Sequence, residues 1–198
     1  MVVVVALVGV GVLGGRGVTP PPSSSDPPES APALGDGPPV VVSSDAPRHP
    51  SLDALVAASD LVLQAEVEAT APGRTFGEPG GGAIVSRLVT LRIDEVLVGG
   101  APLGDPPTLV VEEEGWLEDG RPLAVDGLAP SEVGDQGFWF LVRVGDPEMP
   151  VHMVVNAGGR YLVAGATLVG ADNDDPLIAR IESLTPDALR SQIAALAP

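Results

Sequence analysis

The chain has 198 residues, with 27 Asp and Glu against 10 basic residues and a formal net charge of −17 at pH 7. Every base is Arg, and the chain contains no Lys and no Cys. These totals exclude disulfides, Cys–zinc sites, thiol nucleophiles, a P-loop Lys and a Schiff-base Lys. A few scattered Arg also cannot build the cationic surface that nucleic acid requires.

Residues 1–18 are almost wholly apolar, with no charge before Arg16. This is the pattern of a cleaved export signal or a membrane tether. Met1 to Gly15 would span roughly 22 Å as a helix, short of a hydrocarbon core of about 30 Å, so a signal is favoured over a spanning segment. Residues 19–50 are rich in Pro, Ser and Asp and read as a disordered linker. Within them Val40, Val41 and Val42 form an apolar island able to add an edge strand. Residues 51–198 read as one domain. Only four of the acids and two of the Arg precede Ser51, so the domain is itself acidic.

Pro50-Ser51 followed by Leu52, Leu55 and Val56 predicts a capped helix to about Ser59. Leu61, Leu63, Ala65 and Val67 alternate with other residues as in a half-buried strand. Pro72-Gly73 and the Gly77–Gly82 stretch predict a long loop. Its Gly80-Gly81-Gly82 run has neither a Lys nor a following helix, so it is not a phosphate loop. Ile84 to Val98 reads as a long strand with a bend or bulge near Asp94-Glu95.

Thr108 to Val111 reads as the next strand, leading into Glu112-Glu113-Glu114. Asp119-Gly120 between two strand-like runs is a strong hairpin signal. Phe138 to Val142 reads as a buried strand, holding three of the six aromatic residues of the chain. Val151–Val155 and Arg160–Val163 read as a hairpin around Ala157-Gly158-Gly159, and Thr167–Val169 as a last short strand. Asp175-Pro176 and Thr185-Pro186 each predict a capped C-terminal helix. The expected fold is mainly β: a small antiparallel barrel or sandwich of six or seven strands, with one N-terminal helix and two C-terminal helices.

Few residues suggest chemistry. In a strand, Glu112 and Glu114 share a face, and two carboxylates about 7 Å apart could perform acid–base chemistry on sugars, with Asp126 as a further acid. Asp172 and Asp174, in Asp172-Asn173-Asp174-Asp175, resemble part of a calcium loop, but the Gly and the distal Glu of such a loop are absent. His49 and His152 are the only histidines, and no Gly-x-Ser-x-Gly motif accompanies them.

The runs Leu52-Asp53-Ala54-Leu55-Val56-Ala57-Ala58-Ser59-Asp60-Leu61-Val62 and Val89-Thr90-Leu91-Arg92-Ile93-Asp94-Glu95-Val96-Leu97-Val98-Gly99 carry a resemblance, as do Gly137–Leu141 and Gly159-Arg160-Tyr161. They resemble exported bacterial domains that open with a short helix and a strand, followed by a strand ending in a turn of the "VLKG" type. Here Val98 stands where Lys is common. The resemblance implies an OB-like small barrel and brings no catalytic residues with it.

The expectation is therefore an exported or envelope-associated, non-enzymatic binding or structural domain without a cofactor. Its partner would be an undetermined ligand or envelope protein, with no nucleic acid, and with membrane contact only through residues 1–18. The alternatives are a glycan hydrolase using Glu112, Glu114 and Asp126, a calcium-dependent module using Asp172 and Asp174, and a cytoplasmic protein whose start is misread.

Overall fold

A computed structural model describes residues 38–78, 80, 82–100, 103, 105–146 and 149–197. The apolar leader and most of the Pro/Ser-rich stretch lie outside them. The elements in order are β1 (Val40–Val42), α1 (Leu52–Ala57), β2 (Leu61–Phe76), β3 (Ile84–Gly99), β4 (Thr108–Leu117), β5 (Leu123–Val125), β6 (Gln136–Asp146), β7 (Met149–Val154), β8 (Arg160–Ala164), β9 (Thr167–Val169), α2 (Pro176–Glu182) and α3 (Pro186–Leu196).

The protein is mainly β. Seven strands form one sheet in the order β2-β3-β4-β7-β6-β8-β9, and a further pairing of β2 with β6 closes five of them into a ring. Every contact in the ring is antiparallel except the closing one, a single parallel bridge between Val111 of β4 and His152 of β7.

Alternation along the strands builds two cores. Leu61, Leu63, Ala65 and Val67 of β2 join Val89, Leu91, Ile93, Leu109, Val111, Trp139 and Leu141 to fill the ring. On the opposite face, Val62, Phe138 and Phe140 meet Leu55 and Val56 of α1, Leu177, Ile178 and Ile181 of α2, and Leu189 and Ile193 of α3. Tyr161 of β8 lies edge-on to Phe140, with ring centroids 6.2 Å apart and planes at 83°. Each large side chain removed from water in this way contributes roughly 1.5–3 kcal/mol. The helices start where their caps permit: Ser51 accepts from the Ala54 N–H, Asp175 from Leu177 and Thr185 from Ala188.

Several sequence expectations need correction. Helix placement differs: α1 ends at Ala57, short of Ser59, and a 3-10 turn occupies Ala157–Gly159. The loop expected from Pro72 is strand as far as Phe76. Pairing skips from Pro72 to Thr75, so Gly73 and Arg74 bulge, and the Arg74 N–H donates to Ser86 Oγ at 2.8 Å instead of to a ladder carbonyl. A Cβ on Gly73 would lie 2.3 Å from that hydroxyl, which is why the strand can bulge here. The bulge expected near Asp94-Glu95 is present, because pairing passes from Ile93 to Glu95 and skips Asp94.

Val151–Val155 and Arg160–Val163 do not form a hairpin. β7 and β8 lie end to end along the same edge of β6, so the chain jogs between them without reversing. The 3-10 turn makes that jog, with Asn156 Oδ1 accepting from the Gly158 N–H at 2.9 Å. The Asp119-Gly120 turn does bring Pro122 back to Trp116. β5 then leaves β4 and pairs in parallel with β1, so Val40–Val42 supplies the edge strand rather than plain spacer.

Candidate functional site

The acidic run of β4 lies at the one weak seam of the ring. Beyond the Val111–His152 bridge no further β4–β7 pair forms among the described residues, and two clefts open beside Glu112, Glu113, Glu114 and Met153, all four of which line both. The first, about 180 Å³, is bounded by Leu123 and Val125 of β5, by Leu128, Ala129 and Pro130, and by Ser44 and Ala46. The second, about 320 Å³, lies under the β2–β3 hairpin against Arg74, Phe76, Ile84 and Ser86.

Glu112 is 3% exposed and fully bonded. Arg74 grips it through Nε at 3.0 Å and Nη2 at 2.5 Å, and the Ser86 hydroxyl donates to Oε1 at 2.6 Å. Those partners decide its charge. The Arg74 hydrogen bond pulls the Glu112 carboxyl below the usual carboxylate range; burial opposes it and Ser86 assists. The Arg74 guanidinium also stacks over Phe76, 4.9 Å from the ring centre.

Glu113 turns to the other side of β4. Its Oε1 accepts from Ser131 Oγ at 2.7 Å and from Arg160 Nη1 at 3.2 Å. Arg160 also donates to the Ala129 carbonyl and, at 2.5 Å, to Ser131 Oγ. Arg87 reaches the Ser131 carbonyl at 2.8 Å and covers Trp116 at 4.2 Å. Burial pulls the Arg87 guanidinium below its usual range, against the opposing pull of Glu113. The Nε atoms of Arg87 and Arg160 are buried without a partner among the described residues. This network fastens the loop carrying Ala129 and Ser131 to the end of the ring.

Glu114 is exposed, and among the described residues its carboxylate accepts no hydrogen bond. Thus the alternation predicted for the run is broken in burial: Glu112 and Glu113 are both buried and only Glu114 faces solvent. Asp126 lies apart from them, in a third, smaller hollow with Ser44, Asn156 and Asn173. It adopts φ 51°, a left-handed conformation rare outside Gly, and its carboxylate accepts the N–H of Ser44 at 2.9 Å as well as the Ser44 hydroxyl.

Asp172 and Asp174 do not converge. The Asp172 N–H donates to the Gly127 carbonyl at 2.9 Å, while the exposed Asp174 pairs with Arg48 at 3.0 Å. Among the described residues no three His, Asp or Glu side chains gather as metal ligands. His49 is half-buried at the start of the domain, and His152 is buried in the closing bridge. No helix among the described residues is long and apolar enough to cross a membrane.

Sequence reasoning missed Arg74, Ser86, Ser131 and Arg160, which decide what the acidic run can do. For the two Arg the only sequence signal was scarcity: in a chain with so few cations, each Arg flanking a strand is a candidate partner for a buried acid. Compared with protein-family models, with curated proteins and with solved structures, the chain finds no match in any of the three.

Proposed function

We propose that this is a non-enzymatic binding or structural domain working outside the cytoplasm, built on an OB-like small barrel, which takes its partner at the β4–β7 seam. The observation that carries the reading is the engagement of Glu112. A hydrolytic pair needs one carboxyl that keeps its proton near neutral pH. Here Arg74 and Ser86 occupy both Glu112 oxygens and favour the ionised form. Glu113 is likewise committed to Ser131 and Arg160. Glu114 is left as a lone exposed carboxylate. The ring order, a meander of β2, β3 and β4 with a parallel closing contact from the last strand, supports the OB-like reading. The apolar leader supports the compartment.

The test is turnover. The purified protein and its Glu112→Gln/Glu114→Gln variant are assayed on a panel of glycans, and neither is expected to release product. Hydrolysis by the wild type that the double variant lacks would replace this reading with the carboxylate hydrolase.

A further inference from the structure

We infer that the split between β4 and β7 is a strand-acceptor slot for an extended, basic polypeptide segment. The inference rests on the binding-domain reading above and names the kind of partner. β4 pairs with β3 along one edge from Thr108 to Leu117, skipping only Gly115. Along its other edge it meets β7 at Val111 and Pro122 at Trp116. Between those points, Glu112 to Gly115 have no strand partner on that side among the described residues. β7 has the matching property: Met153 and Val154 pair with β6 on one edge, while among the described residues only His152 is ladder-paired with β4 on the other.

Past the bridge the two strand edges carry no further ladder pair with each other among the described residues, and clefts lined by Glu112–Glu114 and Met153 open beside them. Strand edges in this state present alternate N–H and C=O groups to any chain that enters. A segment of about four residues, some 13 Å long, matches the free stretch of β4.

The walls define the side chains. Phe76, Ile84 and Met153 give one apolar side, and Leu123, Val125 and Leu128 the other. Phe76 is 46% exposed, a large apolar surface left uncovered beside the seam. Glu112 is neutralised by Arg74 and Glu113 by Arg160. Among the described residues Glu114 alone of the three keeps a charge with no ion pair, at the mouth, on a chain of net charge −17. The segment that fits is extended, carries alternate apolar residues, and presents an Arg or Lys to Glu114. Main-chain pairing gives such a complex its affinity, and the pockets give it specificity.

The test uses the full chain with an acetylated pentapeptide alternating Val and Arg, its Val/Glu counterpart, and a Val/Arg version N-methylated at alternate amides. Amide hydrogen exchange is read residue by residue. The expected result is slowed exchange at Glu112–Gly115 and Val154 with the Val/Arg peptide alone. Glu114→Arg, a change at an exposed side chain, is expected to weaken that binding about tenfold or more with the thermal midpoint unchanged. Equal binding of the N-methylated peptide, or of the Val/Glu peptide, would overturn the slot. Protection mapping away from the seam would do the same. Concentration-dependent protection of these amides without peptide would give the slot to a second copy of the chain and overturn the basic segment. None of these outcomes involves turnover, so they are separable from the hydrolase test.

Discussion

Arg160 Nη1 and Glu113 Oε1 meet 3.2 Å apart at the end of the ring, with side chains only 3% and 7% exposed. Neither charge has water to fall back on. Their shared partner Ser131 ties the loop before β6 to both of them.

Arg160→Met should therefore destabilise the fold by about 3–5 kcal/mol, because it strands Glu113 in a dry site. Adding Glu113→Leu should recover part of the loss, since the uncompensated charge is then gone. Urea denaturation of the two single variants and the double variant checks this. Additive losses would show that the pair is not coupled.

His152 should give the protein a pH-dependent stability on the mildly acidic side. Burial pulls its imidazole below the ordinary value of 6.5; Arg143 adds to the effect and Asp60 opposes it. A base with a depressed folded pKa binds its proton more readily when unfolded. The stability it contributes is complete above about pH 6.5 and is lost as pH falls from there toward the folded value. Thermal midpoints between pH 8 and pH 5 should decline for the wild type and be flatter for His152→Gln. A parallel decline in both proteins would remove His152 as the cause.

Gly73→Ala should cost about 1–3 kcal/mol, through the loss of buried hydrogen bonds rather than through a crowded core. The new Cβ would lie 2.3 Å from Ser86 Oγ and drive that hydroxyl off both Glu112 and the Arg74 N–H. In a Ser86→Ala background the closest clash is gone and only the Leu88 side chain, 3.1 Å from the added Cβ, has to give, so the added cost of Gly73→Ala should shrink. An undiminished cost in that background would point to the backbone instead.

Much of the fold was legible because its strands obey a two-residue period. Leu61, Leu63, Ala65 and Val67 announced β2, Phe138–Val142 announced the centre of β6, and the caps Ser51, Asp175 and Thr185 marked where helices begin. Pairing was less legible, because periodicity says which face a residue takes and not which neighbour it meets. Arg160–Val163 follows Val151–Val155 closely in sequence, yet both run along β6. Pro72-Gly73 looked like a loop because Pro and Gly usually interrupt strands, whereas here Pro72 stays paired and Gly73 and Arg74 form a bulge that Ser86 completes. The acidic run was visible as a cluster, but its meaning depended on Arg74 and Arg160, which are brought in from strands far away in sequence. No local pattern encodes such an encounter.

The ring is shut by one bridge between Val111 and His152, and this has a kinetic consequence. The meander of β2, β3 and β4 can assemble from neighbouring hairpins, whereas the shutting contact must wait until β6 and β7 have been laid down. Until then Leu109, Val111 and other apolar residues of the interior face water. Covering these residues therefore depends on the contact that is longest delayed along the chain.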